Sequence, residues 1–265
     1  MSTLTDVAVE RRRLFGRGLG ALLRSETTLF LRDPGNLFFA LVFPTVVLIG
    51  VGFAIPGMLD PIEDAGPTQG MLAIVVMVPP VLATAMATPA LTTLPVIFAT
   101  YREQGILKRL STTPMRPQAM LVTHVIIGVV SFLVATAIAV IAAALAFDVM
   151  MPENLPITLI SGVLCAASMF GIGLLIAAVA PKGSTAQAIG MTLFFPLLFF
   201  AGLWTPEPIM PEIIKTVATW TPLGAGSQAL NEGWFSGGVP TTQLAVMAGY
   251  IAVTYPLAAK LFRWK

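Results

Sequence analysis

Six stretches of this chain, 37–59, 71–100, 125–147, 157–181, 183–206 and 239–259, contain no Asp, Glu, Lys or Arg. Each matches or exceeds the roughly 20 residues with which a helix crosses about 30 Å of hydrocarbon. A backbone in lipid must satisfy its own N–H and C=O groups, so runs of this length read as helices. The expected fold class is an all-α integral membrane protein with six transmembrane helices. Composition agrees, since 56% of the residues are hydrophobic and only 11% are charged, too few to cover a water-facing surface. Cys165 stands alone inside a span, so no disulfide forms within the chain. The first 36 residues lack a cleavable apolar core, and no signal peptide is expected.

Taken in order, Arg11, Arg12, Arg13, Arg17, Arg24 and Arg32 alternate with leucines and phenylalanines. This pattern predicts an interfacial helix over 12–34, firm from about residue 20, with arginines toward anionic head groups. Asp33-Pro34-Gly35-Asn36 reads as a turn into the first span, where Pro44 predicts a kink. The second span, 71–100, would extend about 45 Å and holds Pro79, Pro80, Pro89 and Pro95. It is expected either to kink strongly or to protrude, with other helices, threonines or water meeting its freed backbone groups. Between it and the third span lies Tyr101-Arg102-Glu103-Gln104-Gly105-Ile106-Leu107-Lys108-Arg109-Leu110. This segment predicts a helix of about two and a half turns, apolar at Leu107 and Leu110 and basic at Arg102, Lys108 and Arg109.

The fourth span is rich in small residues, which suits close packing. Segments 208–220 and 222–234 are helical in pattern but too short to span, and predict a re-entrant pair in the outer leaflet. Trp204, Trp220 and Trp234 read as an outer aromatic belt. With the N-terminus inside, fourteen of the fifteen Lys and Arg residues fall on the inner side and only Lys215 outside. The positive-inside rule then predicts cytoplasmic N- and C-termini.

Several chemistries find no residues. Proton- or sodium-driven carriers keep ionisable groups in mid-membrane, whereas here the spans hold His124 alone, near the inner interface, which reads as a packing histidine. There is no H-E-x-x-H, no G-x-S-x-G and no phosphate-binding G-x-x-x-x-G-K-[ST]. The expectation is a non-catalytic membrane subunit with no cofactor or metal of its own, whose energy comes from a partner.

Three pieces together carry a family likeness: Phe30-Leu31-Arg32-Asp33-Pro34-Gly35-Asn36 after the arginine-rich helix, the Glu103-x-Gly105-x-Leu107-x-Arg109-Leu110 spacing, and the late Phe200-Ala201-Gly202-Leu203-Trp204-Thr205-Pro206 with Trp220-Thr221-Pro222-Leu223. The chain resembles type 2 ABC transporter permeases, in particular the bacterial branch similar to daunorubicin and multidrug exporters. The resemblance implies one permease domain over 1–265, dimerisation with a second protomer, most simply as a homodimer, and a multi-pass place in the bacterial plasma membrane. It also implies a separately encoded ABC ATPase that carries the ATP and Mg. That ATPase would be met by a connecting helix bearing Arg24 and Arg32 and by a coupling helix, 101–111, with Arg102, Glu103, Gly105, Leu107, Lys108, Arg109 and Leu110. Short helices within 207–235 would lie on the outer side.

The second and fifth spans would line the substrate path, for which Met77, Met86, Phe194, Phe195 and Phe199 are the candidate residues. A charge-free path leans toward a hydrophobic or amphipathic cargo such as a drug, antibiotic or lipid. The alternatives are a polysaccharide or glycolipid exporter and an energy-independent channel or scaffold. In the last case 101–110 is merely a basic surface anchor.

Overall fold

A computed structural model describes residues 19–63, 68–107, 118–149, 151–204 and 210–261. In chain order its helices are α1 (residues 19–32), α2 (Pro34–Ala54), α3 (Ala73–Glu103), α4 (Gln118–Phe147), α5 (Leu155–Val179), α6 (Gly183–Phe200), α7 (Glu212–Thr219), α8 (Pro222–Asn231) and α9 (Thr241–Leu261). Six of them, α2 to α6 and α9, are long and apolar enough to cross a membrane. Among the described residues there is no strand, only an isolated bridge between Pro61 and Leu72.

The turn expected at 33–36 is the start of α2. The Asp33 carboxylate accepts from the Asn36 N–H at 3.1 Å and from Asn36 Nδ2 at 2.8 Å, an N-terminal cap that satisfies a helix donor. Pro34 follows in the first turn, where its missing N–H costs nothing.

α3 is the axis of the bundle. Every residue from Ile74 to Leu91 is buried, because α2, α4, α5, α6 and α8 all pack against it. It resolves the proline question by changing its pitch. A 3₁₀ segment, Ala73–Met77, passes into an α segment, Val78–Thr88, then a π segment, Pro89–Thr93, then a final α segment, Leu94–Glu103. Each proline sits in the opening turn of its segment. The Leu94 N–H bonds back five residues to the Pro89 oxygen, just before Pro95. α2 does the same: the Phe43 N–H reaches the Phe38 oxygen, just before Pro44. A wider turn gives the proline ring room beside the carbonyls behind it.

The Ala90 oxygen thereby loses both ordinary donors: Leu94 bonds to Pro89 instead, and Pro95 has no N–H. Gly173 of α5 packs directly on this oxygen, and Gly190 of α6 packs on the Leu91 oxygen. Only a residue without Cβ allows such an approach, which accounts for part of the small-residue richness of these two spans. Along α3, Thr84, Thr88 and Thr92 donate to carbonyls four residues back, at 2.9, 3.0 and 2.6 Å.

α4 and α9 form the periphery, with Leu133, Ile141, Leu145 and Val253 exposed as lipid-facing side chains. α7 is short and amphipathic, and Ile213 is exposed on it. α8 is instead sunk in the protein, with Pro222 to Ser227 all buried. The belt reading is corrected at one position. Trp204 and Trp220 are exposed, but Trp234 is only 5% exposed, in the core beside Phe235.

Candidate functional site

The C-terminal end of α3 is a junction of four elements. Its last turn presents Tyr101, Arg102 and Glu103, and three consecutive helical residues fan over about 200°. They therefore reach different neighbours. The Tyr101 hydroxyl donates to Glu26 Oε2 of α1 at 3.1 Å, and His124 Nε2 of α4 lies 3.5 Å from the same oxygen. The His124 ring meets the Phe98 ring edge-on, centroids 5.3 Å apart. Arg102 Nη1 donates to the Ala180 oxygen at 2.7 Å, and Glu103 Oε2 accepts from the Gly183 N–H at 3.3 Å. Both of these partners flank the turn between α5 and α6. Glu26 is 8% exposed, and this burial pushes its carboxyl above the usual range, with the Tyr101 hydrogen bond partly opposing the shift.

The continuous helix expected over 101–111 is interrupted. The Gln104 N–H bonds the Thr100 oxygen, the Gly105 N–H bonds the Arg102 oxygen, and Gly105 takes φ +68°. That left-handed residue ends α3, and a helix resumes at Ile106. Leu107 just beyond is 1% exposed, packed in the core. Lys108, Arg109 and Leu110 lie outside the described residues. Arg24 and Arg32 are exposed on α1.

Higher along α3 a cavity of about 740 Å³ opens between α2, α3 and α6. Phe39 and Phe43 form one wall, Thr92 and Val96 the second, and Met191, Phe194 and Phe195 the third. The Thr88 and Thr92 hydroxyls on its wall are already bonded to their own helix, which leaves mainly methyl groups to face a guest. Asn36 and Gln187 supply amides, and no described charged side chain lines it. Such a surface accepts apolar or weakly polar matter and offers no proton chemistry. Among the described residues no three His, Cys, Asp or Glu side chains lie close enough together to hold a metal ion.

The family model for ABC-2 type transporters matches residues 17–235, most of the chain. The chain belongs to the ABC-2 type transporter family. It is thus the permease component of an ABC transporter and a multi-pass membrane protein, and membership implies an ATPase partner in general. No curated protein matches it.

Within the permease the predicted residues separate into two places. Arg102, Glu103, Gly105 and Leu107 gather at the junction at the end of α3, while Phe194 and Phe195 line the cavity. Phe199 packs beside Phe200 with centroids 5.6 Å apart, away from the cavity wall. Met77 and Met86 are 2% and 1% exposed, in the core around α3. Sequence reasoning passed over Glu26. Its signal was present: between Arg11 and Arg32 it is the sole acidic residue of an otherwise basic segment.

Proposed function

We propose that this permease exports a hydrophobic or amphipathic cargo from the cytoplasm or inner leaflet, driven by a separately encoded ATPase that docks at α1 and at the inner end of α3. One observation carries the reading. A single helix, α3, supplies both a wall of the large cavity, through Thr88, Thr92 and Val96, and the junction at Tyr101, Arg102 and Glu103. A push on residues 101–103 is therefore delivered to the cavity wall along the same helix. The lack of charge among the described residues of the wall favours an apolar cargo over a polysaccharide, whose hydroxyls would find the Thr88 and Thr92 hydroxyls already engaged. The excess of basic residues on the inner segments supports cytoplasmic termini. Two protomers facing each other complete the path in this reading.

The test is export by proteoliposomes holding the permease and its candidate ATPase, a P-loop protein to be sought by pull-down from native membranes. Glu103→Ala, Gly105→Pro and Leu107→Asp should each cut ATP-driven export of a lipophilic dye while membrane insertion is retained. Full export by all three variants, or undiminished transport without the ATPase, would sink the coupling assignment.

A further inference from the structure

Beside the junction lies a second, smaller cavity of about 190 Å³, between α1, α3 and α4 and open on one side. Its lining is unlike that of the large one. Two carboxylates, Glu26 and Asp33, face it, together with Phe30, Tyr101 and Phe170. No described Lys or Arg lines it, although α1 is arginine-rich, because Arg24 and Arg32 are exposed instead.

Asp33 is occupied by capping α2. Glu26 is not so well served. It is buried, it accepts one hydrogen bond from Tyr101, and among the described residues it has no Lys or Arg within ion-pair distance. A buried carboxylate ordinarily demands a cation. Opposite it, His124 is 8% exposed and its Nε2 has no hydrogen-bond partner, although Glu26 lies 3.5 Å away. Ser131 of α4 borders the same space. The cavity thus offers one under-paired anion, a ring nitrogen free to accept when its proton is on Nδ1, a hydroxyl, and aromatic walls.

We propose that this cavity binds the primary ammonium group of an amphiphile, whose chain runs out past Leu29 and Phe30 into the bilayer. A primary ammonium supplies donors to both Glu26 Oε2 and His124 Nε2, which lie 3.5 Å apart. A quaternary ammonium carries the charge without a donor and leaves His124 unsatisfied. The site adjoins the large cavity, sharing Asn36, Thr93 and Ile97 with it, but its carboxylate and histidine face only the smaller space. The proposal does not depend on the direction or energy source of transport. The amine can come from an aminophospholipid head group or from a free alkylamine, and the two sources are separable.

Purified permease in nanodiscs of phosphatidylglycerol is titrated with dodecylamine, dodecyltrimethylammonium or dodecanol, and the thermal unfolding midpoint is followed. Ligand at ten times its Kd should raise the midpoint by about 3–6 °C. Dodecylamine gives this shift, the other two do not, and Glu26→Gln abolishes it. Equal shifts with dodecyltrimethylammonium, an undiminished response in Glu26→Gln, or no shift with dodecylamine would overturn the proposal. If Glu26→Gln does not fold, the comparison of the two amines on the wild type decides alone. Repeating the titration with phosphatidylethanolamine in the nanodisc identifies the source. Stabilisation by that lipid with no further response to dodecylamine assigns the site to the head group, and a persisting response assigns it to the free amine.

Discussion

Gly173→Ala puts a methyl group where the Ala90 carbonyl oxygen already lies. The obstacle is backbone inside the π segment of α3, so no side chain can swing aside. Overpacking of a well-packed core costs about 1–3 kcal/mol. Replacing a helical glycine by alanine also gains roughly 0.8–1 kcal/mol of intrinsic propensity, and this gain must be subtracted by a control. Gly249 in α9 provides one, since an added Cβ there meets nothing within 4 Å. The difference between the two variants isolates the clash at about 1–3 kcal/mol. At roughly 2–4 °C per kcal/mol for a chain of this size, Gly173→Ala should unfold about 2–12 °C below Gly249→Ala. The assay is thermal unfolding in one detergent, followed by tryptophan fluorescence, for which buried Trp234 is an internal reporter. If Gly173→Ala melts with Gly249→Ala or above it, the close approach of α5 to α3 is not what makes glycine necessary there.

Gly105→Ala meets no neighbouring atom but must hold φ +68°, and should cost about 1–2 kcal/mol, read as a lower unfolding midpoint. Burial raises the Glu26 carboxyl above its ordinary 4.5, so the folded chain holds that proton more tightly than the unfolded one. Wild-type stability should then fall relative to Glu26→Gln as pH rises from 4.5 through the raised value, which a series of unfolding midpoints between pH 4 and 8 would reveal. Asn154→Ala removes the oxygen that accepts from the Ile157 N–H at 3.2 Å and the amide that donates to the Gly237 oxygen at 3.0 Å. A stability loss of about 1–2 kcal/mol is expected, and an unchanged midpoint would deny the cap its role.

The six spans were legible because the cost of burying charge in lipid writes itself as long uncharged runs, and α2 to α6 and α9 lie on those runs. Their ends were less so: Pro34 belongs to the first span because Asp33 caps it, a contact that hydropathy does not register. The break at Gly105 was hidden because periodicity counts apolar positions and is blind to a backbone dihedral. The two short helices look alike in sequence, yet α8 is buried and α7 is not, since what covers an element is decided by its neighbours. Glu26 escaped for the same reason. Its partners, Tyr101 and His124, come from 75 and 98 residues away and meet it only in the folded chain.

The π segment in α3 also makes chain length a property of the span in its own right. Loss of any one residue from Pro89–Thr93 would let the helix close on ordinary α bonds. Everything beyond would then turn by about 100° and retreat by about 1.5 Å. Tyr101 would swing off Glu26, and Arg102 and Glu103 would leave Ala180 and Gly183 together, with no side chain altered. Over evolutionary time this stretch has almost no freedom to gain or lose a residue, whatever side chains it carries.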